Sequence, residues 1–259
     1  RNSMYKSLTA NDFRARFSLG EGYEVAGLIS YGAWDVMKHQ ERIKSALNSL
    51  GVQFSSRILQ GFLSSVLELD ISGKKYWFVV MYGGTMLSEY VHIACMLGSK
   101  KNIHMGSCGG LNPNINSCEL IVPTWTHGDE SVTRMYDRGS KDSKHYPNEH
   151  LSGQLIEKAG GKYTIHRGSI ITIQAMLAET AEDIQTWSGQ GYFGVEMETS
   201  TIFAVSKHFG VPSSALLYVS DLLIKGQTVR DHSHNEQKEY REQVKDYVYI
   251  TAIRTMLDR

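Results

Sequence analysis

The chain alternates short apolar runs with amphipathic stretches of helical period. Residues 23–31 (YEVAGLISY) read as a first buried strand, and Gly32-Ala33 turns into a helix over 34–50 that Gly51 stops. Residues 54–69 are β-rich around Gly61, and Asp70-Ile71-Ser72-Gly73 is a turn before the apolar strand 75–82 (KYWFVVMY). Gly83-Gly84-Thr85 leads into a helix over 86–97. A short strand at 102–105 ends in the glycine-rich turn Gly106-Ser107-Cys108-Gly109-Gly110, and 120–125 is another strand. Residues 127–150 are polar and read as a long loop or flap over a site. A helix over 151–159, a strand over 163–173 and a short helix over 181–188 follow.

The next stretch, 194–221, is the one the chain is organised around. A strand over 192–195 delivers Glu196-Met197-Glu198. Ile202, Phe203, Val205 and Phe209 then keep helical spacing up to Gly210 and Pro212. The apolar run 215–219 delivers Ser220-Asp221. In α/β sheets ligands bind at the C-terminal ends of strands, so the two acidic clusters are expected at one crevice. A polar loop over 225–233 and a long helix over 235–257 close the chain. Unbroken alternation of strands and helices predicts a single α/β domain over 1–259 with a mixed sheet, residues 1–20 forming an N-terminal extension.

Composition narrows the function. Lys and Arg number 27 and so do Asp and Glu, which argues against a general nucleic-acid binder. No apolar run approaches the roughly 20 residues that span a bilayer, so no membrane partner is expected. The first residues lack the apolar core of a secretory signal, and a cytoplasmic location is expected. Cys95, Cys108 and Cys118 form no CxxC pair and read as free thiols. No His/Cys spacing suggests zinc, so neither a metal nor a cofactor is expected.

The glycines after strands are either anion cradles or tight turns, and alone they decide nothing. Val195-Glu196-Met197-Glu198 followed by Val219-Ser220-Asp221, with the GSCGG segment in order before them, carries more. From about Glu24 to Leu257 this pattern resembles the nucleoside phosphorylase family of the trimeric and hexameric type, which also holds uridine phosphorylases and hydrolytic nucleosidases. The resemblance implies a mixed sheet curled into a distorted barrel and flanked by helices. It also implies a homodimer or higher homo-oligomer whose subunits share active sites. The implied activity is cleavage of a nucleoside N-glycosidic bond, foremost phosphorolysis of a purine nucleoside to free base and ribose 1-phosphate. The alternatives are a nucleosidase that uses water and a relative that binds nucleosides without cleaving them.

Carried over residue by residue, the resemblance places Met197 and Glu198 on the ribose. Gln174, Met176 and Glu196 fall near the base. Asp221 is the acid that protonates a purine N7, paired with Arg241 or, in a loop longer than the pattern, with Arg230 or His234. Gly32, Ser107, Arg57 (from the neighbouring subunit) and His104, as a phosphate ligand when protonated, fall at phosphate-binding positions. Two family arginines are replaced, one by Val36 and one by His104, and this departure opens the hydrolytic reading. The methylthioadenosine nucleosidases place a water-activating glutamate where Val36 stands. AMP nucleosidases share Cys108-Gly109-Gly110-Leu111.

Overall fold

The computed structural model describes residues 4–231 and 235–259. Among these residues ten strands form one mixed sheet. They are β1 (Gly27–Gly32), β2 (Ser55–Ile58), β3 (Val66–Ile71), β4 (Lys74–Met81), β5 (Asn102–Gly110), β6 (Leu120–His127), β7 (Lys144–His145), β8 (Ile165–Thr172), β9 (Gly194–Glu196) and β10 (Ser213–Asp221). The helices are α1 (Ala10–Arg16), α2 (Val36–Ser49), α3 (Gly84–Met96), α4 (Ser131–Tyr136), α5 (Glu149–Ala159), α6 (Ala181–Gly189), α7 (Thr199–His208) and α8 (Lys238–Leu257).

Five strands close on themselves. β10 pairs with β6, β6 with β8, β8 with β9, β9 with β5, and β5 back with β10. From β5 the sheet runs on through β1, β4 and β3 to the edge strand β2. The expected distorted barrel flanked by helices is therefore the observed architecture.

Strands covered on both faces explain the continuous apolar runs. Ile29, Tyr31, Phe78 and Val80 pack toward Ile43 and Leu47 of α2 and Val248 and Tyr249 of α8. Their neighbours Leu28, Trp77 and Val79 point the other way, to Leu87 and Val91 of α3 and Ile202 and Phe203 of α7. A strand's period of two sorts one run into two cores. Within the expected N-terminal extension, α1 is capped by the Thr9/Asp12 box and buries Phe13 in the second core.

Two expectations change. Residues 127–150 are not one long loop, because α4 and β7 lie within them, β7 pairing with β6. Gly106–Gly110 is not a turn either; β5 runs straight through it. The reason is crowding. Here β5 meets β1 at Gly106, β10 along its length and β9 at Gly109 and Gly110. A Cβ on Gly110 would lie 3.0 Å from Val219 Cγ1 and 3.2 Å from the Asp221 carbonyl oxygen. Glycine inside a strand marks such close approach.

Candidate active site

The C-terminal ends of β1, β9 and β10 and the second half of β5 border a cavity of about 500 Å³. Gly32, Ser107, Glu196, Met197, Glu198 and Asp221 all line it. The two acidic clusters expected to meet do meet. Closure of the barrel does this: β9 runs antiparallel to β5 with Val195 opposite Gly109, while β10 runs parallel to β5 with Asp221 at the same Gly109.

Glu196 is buried and fully engaged. Its Oε1 accepts from Thr172 Oγ1 at 2.6 Å, and its Oε2 accepts from the backbone N–H groups of Glu198 and Thr199, both at 2.8 Å. Glu198 Oε1 accepts from the Gly83 N–H at 2.8 Å. Gly83 has φ of +87°, a conformation glycine alone adopts freely, and this aims its N–H at the carboxylate. The other oxygen of Glu198 lies against Gly32, where an added Cβ would sit 2.5 Å from it. Burial pushes both carboxyls above the usual range, and the charge of Glu196 pushes Glu198 further.

Asp221 ends β10, and its Oδ1 accepts from Ser220 Oγ at 2.6 Å. Burial raises its pKa. The Ser220 hydrogen bond and the charge of Arg241 pull the other way without cancelling it. Arg241 is buried in the first turns of α8 and is not among the cavity-lining residues, so its action on Asp221 is electrostatic. Arg230 does line the cavity and is exposed. His234 lies outside the described residues.

On the base side, Met176 lines the cavity, but Gln174 does not. The Gln174 amide is spent internally: Oε1 accepts from the Gly84 N–H at 2.9 Å and Nε2 donates to the Met197 carbonyl at 3.0 Å. It holds the Gly83-Gly84 turn against the Glu196–Glu198 segment. The aromatic residues Trp34 and Tyr82, with ring centroids 5.3 Å apart, line the cavity too. Sequence reasoning passed over both, although each lies within two residues of a strand end, where ligand-binding residues collect.

Glu179 was also missed, since nothing in its polar surroundings sets it apart. It lines the cavity, and burial, then the charges of Asp221 and Asp183, push its pKa to about 7. A folded pKa raised from 4.5 means the folded state holds the proton more tightly. That stabilisation is complete below the unfolded pKa and is lost as pH rises through about 7. Glu179→Gln is therefore expected to be more stable than the parent at pH 8 by about 1–2 kcal/mol, after allowing for partial exposure, and not at pH 4. Urea melts at the two pH values check this.

The expected phosphate ligands divide. Gly32 and Ser107 are at the cavity. Val36 packs on the apolar core, and neither it nor Asp35 lines the cavity. His104 lies in β5, fully buried, with Nδ1 2.8 Å from Ser30 Oγ. Its burial lowers the pKa to about 3, so the ring is neutral at pH 7. Its Nε2 is 3.8 Å from Glu198 Oε2 and 3.9 Å from Glu196 Oε2. Arg57 is on the exposed edge strand β2, paired with Glu68 through Nε at 2.8 Å and a terminal nitrogen at 3.2 Å. Three strands separate β2 from β5, and Arg57 does not line this chain's cavity.

Comparison with known proteins adds to this geometry. Residues 79–251 match the family model described as the phosphorylase superfamily. The chain belongs to the phosphorylase superfamily. Similar family members include a purine nucleoside phosphorylase of DeoD type from Caldanaerobacter subterraneus subsp. tengcongensis. It is 26% identical over 169 residues, which cover 63% of this chain and 70% of the relative. A guanosine phosphorylase from Halorubrum lacusprofundi is 26% identical over 147 residues, covering 55% of this chain and 59% of that one. The solved structure of a uridine phosphorylase from Vibrio fischeri shares the fold, with a TM-score of 0.74 at 17% identity over 92% of this chain and 95% of that one. The family match begins in β4 and reaches α8, so it takes in every strand end that borders the cavity except that of β1.

Proposed function

We propose that the protein cleaves the N-glycosidic bond of a purine nucleoside, with phosphate as acceptor. The observation that carries this reading is the meeting of Met197-Glu198 and Ser220-Asp221 at one cavity together with Ser107 and Gly32. When the bond from the sugar to the base breaks, its electron pair goes to the base and positive charge grows on the ribose. A carboxylate that accepts from the ribose hydroxyls favours that cation, and Glu198 takes this role. Met197 supplies a soft apolar surface for the sugar. Asp221 with a raised pKa donates a proton to purine N7, so the base leaves neutral. A phosphate oxygen then bonds to the anomeric carbon, giving ribose 1-phosphate. Met176, Trp34 and Tyr82 are the surfaces for the base.

Arg57 cannot serve the cavity of its own chain, and its place on an exposed edge suits a subunit that lends it to a neighbour. The functional unit in this proposal is a homodimer or higher homo-oligomer, acting in the cytoplasm. Arg57→Ala is expected to raise the phosphate KM about tenfold or more with little change in the nucleoside KM, since a charged hydrogen bond is worth about 1.5–3 kcal/mol. Steady-state kinetics at varied phosphate checks it.

One observation favours a second reading, hydrolysis. A neutral His104 and an apolar Val36 leave the acceptor side short of cations. Incubation with a panel of nucleosides, with and without phosphate, separates the cases. Base release that requires phosphate supports phosphorolysis, release without phosphate supports hydrolysis, and nucleoside binding without release rejects both.

A further inference from the structure

His104 Nε2 is completely buried and, among the described residues, has no hydrogen-bond partner. It faces Glu198 Oε2 and Glu196 Oε2 at 3.8 and 3.9 Å. Those separations are too long for hydrogen bonds. They do suit ligands of one ion, because two atoms each about 2.1 Å from a metal lie about 3.4 Å apart at the tetrahedral angle and about 3.9 Å apart when the angle opens to about 135°. The three donor atoms lie within 4.8 Å of one another.

The surroundings also fit. Ser30 Oγ holds Nδ1 at 2.8 Å, the kind of outer contact that fixes the tautomer and orientation of a metal-binding histidine. Among the described residues neither carboxylate is paired with a lysine or arginine. Both glutamates also line the cavity.

We infer that His104, Glu198 and Glu196 form a binding site for one divalent cation of intermediate softness, Zn²⁺ in the first instance. An imidazole with two carboxylates is a donor set for such ions rather than for Cu⁺ or Ca²⁺. His104 and Glu198 carry most of the affinity. Glu196 Oε2 already accepts two backbone N–H groups and contributes mainly charge. The cation restores, at the position of His104, the positive charge that a phosphate acceptor needs; this role alone rests on the nucleoside-cleaving reading, whereas the site itself does not.

The test is calorimetric titration of the chelator-stripped, full-length protein with Zn²⁺, with Co²⁺ absorption as a second readout of inner-sphere ligands. One ion per chain is expected. His104→Asn is expected to weaken uptake by about 100-fold or more, and Glu198→Gln by at least about tenfold, with circular dichroism confirming both folds. Should His104→Asn not fold, Glu198→Gln decides. Absence of stoichiometric uptake by the parent protein, or uptake unchanged in the folded variants, overturns the proposal. Base release is measured separately. Ion uptake without base release keeps the site and rejects the nucleoside reading; base release without uptake does the reverse.

Discussion

Asp221→Asn is expected to lower kcat for purine nucleosides by about 10²–10⁴-fold, the usual worth of a positioned general acid. The asparagine amide still fills the end of β10 and still meets Ser220, so the fold is retained. What it lacks is a proton that can pass to N7 as the bond breaks. A nucleoside already alkylated at N7 carries the positive charge without help. Its cleavage is expected to be nearly unaffected, which separates loss of the acid from general damage. A parallel loss with both substrates, measured by base release at saturating nucleoside, would show that Asp221 is not the acid. The pH dependence has a defined sign. The protonated carboxyl is the active form, and burial raises its pKa, so activity falls as pH rises through that raised value. The variant loses this alkaline limb.

The second large effect is on the sugar side. Glu198→Gln is expected to lower kcat/KM for ribonucleosides by about 10²–10³-fold, comparable to removing one preorganised group that faces transition-state charge. The glutamine can keep the hydrogen bond from Gly83, but it brings no negative charge to the ribose. Substrates without the 2′- and 3′-hydroxyls never make the contact, so the variant's penalty should shrink on them. That comparison is a double-mutant cycle between protein and substrate. Equal penalties on both substrate classes would place Glu198 away from the sugar. Replacing a buried carboxyl whose charged form is disfavoured by its neutral isostere does not destabilise the fold, and thermal melts serve as the control.

The half of the candidate site inside residues 194–221 is legible in the sequence because its pattern is local. Glu196-Met197-Glu198 follows an apolar strand and Ser220-Asp221 ends another, and strand ends are where α/β sheets bind ligands. The family resemblance then assigned roles to those residues, and the superfamily match includes both stretches. The glycine-rich stretch reads as a turn but is a strand, because glycine has two meanings, turn and close approach, and only the neighbours tell them apart. In β5 the neighbours are three other strands. Gln174 was expected near a base edge, yet both ends of its amide meet backbone groups, one of them Gly84, 90 residues earlier in the chain. Such a contact leaves no trace in local pattern.

The sequence alone determined most of the order of strands and helices, the covered sheet and the two acidic clusters. Each follows from residue type and spacing, which act over a few neighbours. Only the tertiary structure decided what those residues face. Closing β10 onto β5 brings Asp221 level with Gly109, where β9 arrives from the opposite direction with Val195. The same closure buries His104 beside Glu196 and Glu198, turning a missing arginine into a neutral ring facing two acids. Burial and distance set these properties, and both come from strand pairings far apart in sequence.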